Sequence, residues 1–234
     1  MRLLVSVIDA DEARIAVEAG VDIVDVKNPA EGSLGAPLPG VIERVREVVP
    51  PGRPVSAALG DLPNLPGTAA LAALGAARSG AAYVKVGLWG TSTTDEAVAV
   101  LGAVRDALDG GAAVIAAAYA DAERVPGGTL PPGAVVSAAR RAGAGGCLLD
   151  TAFKDGRGLF EWLTPEALAA LVAEAHGAGL DMALAGALHA DDLSVVRATG
   201  ADIAGVRSAA CRDGRRTEPL DAERIERLRA VCQR

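Results

Sequence analysis

Short runs of β-branched and other aliphatic residues recur along the whole chain and alternate with longer, helix-like stretches. In several places a helix-like stretch ends at a glycine and an apolar run follows directly. This happens at Gly20, Gly80 and Gly200, and more weakly at Gly143 and Gly179. A glycine in the left-handed conformation readily ends a helix, and a β-branched run is typical of a strand buried in a parallel sheet. The pattern therefore predicts a repeated helix–strand unit.

Counting the runs gives eight predicted strands. They are approximately Leu3–Ile8, Ile23–Lys27, Pro54–Leu59, Tyr83–Trp89, Ala113–Tyr119, Cys147–Thr151, Met182–Ala187 and Ile203–Arg207. Helix start signals lie between them: capping boxes at Asp9–Glu12 and Thr93–Glu96, and a cap followed by a first-turn proline at Thr164–Pro165. Strict alternation of strand and helix, repeated with short links, favours an all-parallel sheet.

The expected fold is an α/β (β/α)₈ barrel, a TIM barrel, that forms a single catalytic domain over residues 1–234. A doubly wound open sheet is the alternative, but it usually has a glycine-rich turn after the first strand, and residues 7–11 contain no glycine. The links at 28–35 and 60–67 are rich in Gly and Pro and are predicted to be the longest. Both follow the carboxyl ends of strands, where barrel enzymes build their sites.

Composition narrows the function classes. Half of the residues are apolar but only 3% are aromatic, so Val, Ile, Leu and Ala must fill the core. A net charge of −7 and few aromatic side chains argue against a nucleic-acid binder. No apolar run approaches the roughly 18 residues of a membrane span, and acidic residues follow the first apolar run too early for a signal peptide. We expect a cytoplasmic protein. Three cysteines without CxxC spacing and two distant histidines predict neither a disulfide framework nor a metal site.

The lysines are the most informative residues. The chain has 23 basic residues, and only Lys27, Lys85 and Lys154 are lysines. All three belong to even-numbered predicted strands or to the residues that follow them. Alternate strands of a (β/α)₈ barrel send side chains into the same layer, so we expect the three amines to meet Asp25 and Asp150 at the catalytic mouth.

A lysine amine can lose its proton, whereas an arginine cannot. Because neighbouring ammonium groups repel and burial disfavours charge, one of the clustered amines can become a neutral nucleophile near pH 7. Schiff-base chemistry is the resulting hypothesis. The alternative is that the lysines are partly buried members of structural ion pairs.

A second candidate feature follows the last two predicted strands. Barrels commonly hold phosphate with the loops after strands 7 and 8, where glycine lets backbone N–H groups approach the ligand. Gly186 and Gly205 fit this use, and Arg207 and Ser208 would add further donors. Ordinary turns at the strand ends are the alternative.

Four segments resemble one known family, the (5-formylfuran-3-yl)methyl phosphate synthases of methanofuran biosynthesis. They are residues 24–36, 83–88, 149–156 and 205–211, and the similarity runs from the first strand to the last. The resemblance implies a Schiff-base lyase that condenses two molecules of glyceraldehyde 3-phosphate into a furan aldehyde phosphate, with loss of phosphate and water. It implies no metal or other cofactor. The downstream pathway stays open between a methanofuran-like cofactor and a furan-containing secondary metabolite.

Carried over residue by residue, the resemblance makes Lys27 the Schiff-base lysine and Lys85 the proton acceptor. Asp150 and Lys154 would assist proton transfer and phosphate handling, with Asp25 beside them. The expected partner is a small phosphorylated aldehyde substrate, with no nucleic acid and no membrane; a homo-oligomer is left open.

Three other functions are also compatible with the sequence. A class I aldolase of the deoxyribose-phosphate type shares the fold and the Schiff base, but it forms no conjugated product. A non-catalytic barrel that binds a phosphorylated metabolite would give no covalent trapping with borohydride. A phosphosugar isomerase would need an acid/base carboxylate pair instead of a lysine nucleophile.

Overall fold

The computed structural model describes residues 1–234 and shows eight parallel strands closed into a barrel, in which each strand pairs with its neighbours in sequence and β1 pairs with β8. The strands are β1 Arg2–Val7, β2 Ile23–Val26, β3 Val55–Pro63, β4 Tyr83–Gly90, β5 Ala113–Tyr119, β6 Gly146–Asp150, β7 Asp181–Leu184 and β8 Ile203–Val206. The predicted (β/α)₈ barrel is therefore confirmed.

Eight helices surround the barrel. They are α1 Ala10–Glu18, α2 Pro39–Val48, α3 Pro66–Arg78, α4 Thr94–Leu108, α5 Val135–Ala142, α6 Pro165–Gly177, α7 Asp192–Ala198 and α8 Ala222–Gln233. The glycines predicted to end helices all have positive φ: 79° at Gly20, 103° at Gly80, 69° at Gly143, 73° at Gly179 and 85° at Gly200. None of the helices combines the length and the apolar character that crossing a membrane requires.

Two of the three predicted helix starts are confirmed. Thr93 and Glu96 form a reciprocal capping box at α4, in which each side chain accepts a hydrogen bond from the backbone N–H of the other. At α6 the Thr164 hydroxyl accepts from the N–H of Ala167, and Pro165 occupies the first turn. Each such cap stabilises its helix by about 1 kcal/mol.

The third predicted helix start is confirmed only in part. Asp9 caps α1 by accepting a hydrogen bond from the N–H of Glu12, as expected. The carboxylate of Glu12 does not return to the backbone of Asp9 to complete a capping box. It accepts from the N–H of Ile8 and forms an ion pair with Arg207, because a buried guanidinium is a stronger partner than a single amide.

The links differ from the prediction in length. Residues 60–63, predicted as a loop, extend β3, and Asp61 pairs with Gly87 and Pro63 with Gly90 across shifts in register. The positive φ of Gly60, 106°, coincides with the irregularity that obscured this part of the strand in the sequence. The links after β5, β6 and β8 are longer than the link after β2, so the prediction about the longest loops is wrong.

The main core is aliphatic. A cluster of 59 buried residues between the strands and the helices contains only Ala, Val, Leu, Ile, Met and Cys, as the composition implies. Inside the barrel, however, polar side chains are also buried, among them Ser6, Asp25, Ser56 and Lys85. Burying a polar group costs free energy unless the group is hydrogen-bonded or serves binding or catalysis. We therefore expect the functional site inside the barrel.

Candidate active site

A cavity of about 430 Å³ occupies the barrel axis. Its lining extends from Tyr83 and Asp181, at the amino ends of β4 and β7, to the links that follow β6, β7 and β8. All nine residues predicted for the site line this cavity: Asp25, Lys27, Lys85, Asp150, Lys154, Gly186, Gly205, Arg207 and Ser208. The structure thus brings them together, while their individual roles stay predictions.

The first ion pair of the cavity joins Lys85 on β4 to Asp25 on β2. The lysine Nζ lies 2.6 Å from Asp25 Oδ2, which also accepts a hydrogen bond of 2.9 Å from the Ser6 hydroxyl. The other carboxylate oxygen of Asp25 has no partner, and neither does the hydroxyl of Ser56, which pairs with Asp25 in the strand register. Two polar atoms without hydrogen-bond partners on adjacent strands indicate a functional site, because buried polar groups with a purely structural role normally have hydrogen-bond partners.

The second ion pair joins Lys154 to Asp150 at the end of β6. The lysine Nζ lies 2.6 Å from Asp150 Oδ1 and 3.1 Å from the hydroxyl of Thr151. Burial acts to raise the pKa of Asp150, but the charges of Lys154 and Lys27 and the hydrogen bonds to this carboxylate outweigh it, and the pKa is lowered. Asp150 is therefore ionised at neutral pH.

Lys27 has a different environment from the other two lysines. It follows β2 directly, 7% of its surface is exposed, and its Nζ forms no ion pair or hydrogen bond within the protein. Burial lowers the pKa of Lys27 to about 7, and the positive charges of Lys154 and Lys85 act in the same direction, opposed by Asp150 and Asp25. Near neutral pH a large fraction of this amine is unprotonated, which is the form that attacks carbonyl groups.

The links after β7 and β8 offer backbone donors to the cavity. Strand β7 ends at Leu184, earlier than predicted, because Gly186 and Ala187 turn the chain with φ of 113° and 48°. The backbone N–H groups of Gly186, Ala187 and Ser208 have no acceptor within the protein, and these residues line the cavity. Such N–H groups suit an anion such as phosphate. Gly205 lies within β8, and a Cβ there would approach Ala185 Cβ to 3.2 Å.

Arg207 is the one predicted phosphate ligand that the structure assigns elsewhere. Its two Nη atoms form an ion pair with the buried carboxylate of Glu12, and Nη1 also donates to the carbonyl of Ser6. Nε donates to the carbonyl of Arg216, and Nη2 to that of Glu218. These acceptors use all five guanidinium N–H groups. Arg207 therefore fixes β1, α1 and the link after β8 to one another, and has no donor left for a ligand.

Arg216, which the sequence pattern did not indicate, lies in the same link and lines the cavity. Its Nη2 donates to the carbonyls of Pro29 and Gly32, at 3.3 and 3.1 Å, in the link after β2. Burial lowers the pKa of Arg216, and the nearby charge of Asp150 partly offsets this. The only signal in the sequence is the presence of three arginines among residues 212–216, which also suits a solvated loop.

Asp61 and Tyr119 were also missed. Asp61 accepts hydrogen bonds from the Tyr119 hydroxyl and from the backbone N–H groups of Ser33 and Leu34. Burial raises the pKa of Asp61 despite these hydrogen bonds. The hydroxyl of Ser33 in turn donates to the carbonyl of Thr151 at 2.7 Å. The link that follows Lys27 is therefore fixed to β3, β5 and β6, which restricts where the Lys27 side chain can lie.

Solved structures share the fold at low sequence identity. The 3-hexulose-6-phosphate synthase from Salmonella typhimurium is 19% identical, with a TM-score of 0.65, over 100% of this chain and 99% of that one. The KGPDC from Streptococcus mutans is 14% identical, with a TM-score of 0.63, over 99% and 97% of the two chains. These similarities show the barrel and no more.

The sequence relatives are much closer. The family model described as 4-HFC-P synthase matches residues 3–229. The (5-formylfuran-3-yl)methyl phosphate synthase of Methanocaldococcus jannaschii is 48% identical over the whole of both chains. A protein of Streptomyces griseus, named as a putative synthase of the same kind, is 50% identical over 97% of this chain and 90% of its own. With the family model covering nearly every residue and half of the positions identical in such relatives, this chain belongs to the (5-formylfuran-3-yl)methyl phosphate synthase family.

Proposed function

We propose that this protein condenses two molecules of glyceraldehyde 3-phosphate into (5-formylfuran-3-yl)methyl phosphate, with loss of phosphate and water, through a Schiff base on Lys27. The observation that carries the proposal is the buried amine of Lys27, which has no ion-pair partner and has its pKa lowered to about 7 between two lysine–carboxylate pairs. The names of the relatives supply the product class.

The first step is imine formation. The neutral amine of Lys27 attacks the aldehyde carbon of one triose phosphate, the carbonyl oxygen leaves as water, and an iminium ion remains. The positive nitrogen makes the C–H bond on the adjacent carbon acidic. Aliphatic side chains such as those of Leu4, Ile23 and Ile115 form part of the cavity wall, so water competes less for the intermediate than it would at an open surface.

The second step is proton removal and carbon–carbon bond formation. Lys85 is the proposed acceptor of the proton on the adjacent carbon, once its own proton has passed to Asp25, whose carboxylate oxygen lies 2.6 Å from the lysine Nζ. The enamine expels phosphate from its third carbon, and the enediol form of the second triose phosphate then adds through its own second carbon to that third carbon. Lys154, which donates a hydrogen bond to Asp150, is the proposed acid for the departing phosphate.

The remaining steps need only acids and bases. The hydroxyl on the second carbon of the first triose then closes onto the aldehyde of the second, loss of two waters gives the aromatic furan, and hydrolysis of the imine leaves the formyl group and frees Lys27. Each step moves protons and leaving groups without a net oxidation. The lysine and carboxylate groups around Lys27 are of the right kind for these proton transfers.

The phosphate of the imine-forming substrate is assigned to the links after β7 and β8. Unpaired backbone N–H groups at Gly186, Ala187 and Ser208 face the same cavity as Lys27. Phosphate binding by such groups orients the aldehyde toward the amine, and orientation is a large part of the catalytic effect in reactions of this type.

The test is to incubate the purified protein with glyceraldehyde 3-phosphate and record the absorption spectrum, with and without borohydride. We expect the absorbance of a conjugated furan aldehyde without borohydride, and substrate mass on Lys27 when borohydride is added. Trapping without a chromophore would instead indicate an aldolase. Neither trapping nor a chromophore would indicate a barrel that only binds a phosphorylated metabolite.

A further inference from the structure

We propose that Arg216 binds the phosphate of the second glyceraldehyde 3-phosphate, the one that reacts as its enediol and keeps its phosphate in the product. The inference rests on the proposed function, because only a condensation of two phosphorylated substrates needs two phosphate subsites in one cavity. It assigns a specificity-determining role to a residue outside the lysine–carboxylate cluster.

Two phosphate dianions repel each other and cannot share one set of donors. The unpaired N–H groups of Gly186, Ala187 and Ser208 lie on the links after β7 and β8. A second subsite must therefore lie elsewhere along the wall of the cavity and must also carry donors or positive charge. Lys154 is already bound to Asp150 and Thr151, and Lys85 to Asp25.

The guanidinium of Arg216 meets these requirements by position. From the link after β8 it extends across to the link after β2, where Nη2 reaches the carbonyls of Pro29 and Gly32. Pro29 lies two positions beyond Lys27, so the guanidinium is on the β2 side of the cavity, away from the donors after β7. Nε and Nη1 of Arg216 have no acceptor within the protein.

The positive charge of Arg216 also has no acidic partner within the protein. No carboxylate forms an ion pair with its guanidinium, although the chain is acidic and pairs many of its other arginines. The adjacent Arg215 differs, since it is exposed and pairs with Asp213 and Glu218. A planar guanidinium with two free donor positions matches the oxygens of a phosphate, and a partly buried site strengthens the contact.

Arg207 explains how this position is maintained. Its Nε–H donates to the carbonyl of Arg216 at 2.9 Å, and its Nη2 donates to the carbonyl of Glu218 at 3.2 Å. The backbone on which Arg216 sits is thereby fixed to the buried Glu12. Arg207 acts as a positioning residue for Arg216, and Arg216 is the residue that contacts the substrate.

The experiment compares Arg216→Gln with Arg212→Gln as the matched control, because Arg212 lies in the same link but is exposed and does not line the cavity. For each variant we would measure borohydride trapping on Lys27 with glyceraldehyde 3-phosphate, and kcat/KM for formation of the furan. In Arg216→Gln we expect trapping at the wild-type level and a fall in kcat/KM of roughly 10- to 100-fold, the usual effect of losing a charged hydrogen bond. Arg212→Gln should match the wild type in both assays.

Two further measurements separate binding from a structural role. Inorganic phosphate should inhibit furan formation less strongly in Arg216→Gln than in the wild type, whereas a displaced link would not alter phosphate inhibition selectively. Arg216→Lys, which keeps the charge without the planar fork, should recover part of the lost kcat/KM and serves as the test variant if the glutamine variant does not fold. Loss of trapping in parallel with turnover, or unchanged furan formation in Arg216→Gln, would overturn the proposal. A wild-type protein that forms no furan would overturn the proposed function itself.

Discussion

Lys27 and Arg207 are both buried cations near the carboxyl ends of barrel strands, and each is 7% exposed, yet their surroundings are opposite. The amine of Lys27 has no hydrogen-bond or ion-pair partner, and its pKa is lowered to about 7 by burial. The guanidinium of Arg207 uses every donor on Glu12 and on three backbone carbonyls. Burial by itself therefore does not distinguish a reactive cation from a structural one.

The two residues differ in what offsets the free-energy cost of burying a charge. Arg207 keeps its charge because hydrogen bonds and an opposite charge replace its water shell. Lys27 receives no such compensation, so the protein instead favours its neutral, nucleophilic form. Arginine cannot respond in this way, since it does not lose its proton in proteins. Substitutions at the two residues and at their neighbours test whether charge compensation accounts for this difference.

The largest effect is expected for Lys27→Arg. Arginine retains the charge and much of the volume but cannot form an imine, so turnover should fall by roughly 10⁴-fold or more, as when other enzymes lose their nucleophile. Borohydride trapping should disappear while the circular dichroism spectrum is unchanged. Trapping on Lys85 in the variant and in the wild type would exchange the roles assigned to the two lysines.

Asp150→Asn should have the next largest effect. Loss of a positioned proton-transfer group should reduce turnover by about 10²–10⁴-fold, while trapping on Lys27 persists. Because the charge of Asp150 raises the pKa of Lys27 against the effect of burial, removing it should lower that pKa below about 7. The acid limb of the pH–rate profile should then move to lower pH. An unchanged profile would show that Asp150 does not act on the Lys27 amine.

Arg207→Ala tests whether the buried guanidinium of Arg207 stabilises the fold. The variant leaves the buried carboxylate of Glu12 without its cation, which should lower the free energy of unfolding by about 3–5 kcal/mol in urea denaturation. The control Arg215→Ala removes only exposed ion pairs and should change stability by less than about 1 kcal/mol. A fully stable Arg207→Ala protein with a raised KM would restore the original assignment of Arg207 to substrate phosphate.

Lys27→Met should stabilise the fold, with a smaller and pH-dependent effect. The pKa of Lys27 is about 7 in the folded protein and about 10.5 when unfolded, so folding carries its full penalty below pH 7 and loses it as the pH rises to about 10.5. The variant should therefore gain a few kcal/mol at most at pH 6, and clearly less at pH 9.5. Urea unfolding at the two pH values measures this. Equal stability of variant and wild type at pH 6 would show that Lys27 is not destabilising in its charged form.

The convergence of the lysines on one cavity could be predicted because it depends on local and periodic features of the sequence. Eight aliphatic runs, five of them preceded by a helix-ending glycine, specify a parallel barrel, and side chains of alternate strands then share a layer. That logic placed Lys27, Lys85 and Asp150 in one cavity, where the structure also has them. The end of β3 escaped prediction because Gly60 and Pro63 are normal loop residues, and only pairing with β4 makes them part of a strand.

The barrel, and the convergence of the nine predicted site residues on one cavity, follow from the local sequence pattern, since strand periodicity and helix-ending glycines act over a few residues. Which buried cation is free to react depends on contacts that form only in the closed barrel. Arg207 and Glu12 lie 195 residues apart, and their contact exists because closure of the barrel brings β8 beside β1. Arg216 likewise reaches the link after β2 only across the closed mouth. Whether a charge is compensated depends on groups that folding brings close in space, and no pattern of neighbouring residues along the chain contains that information.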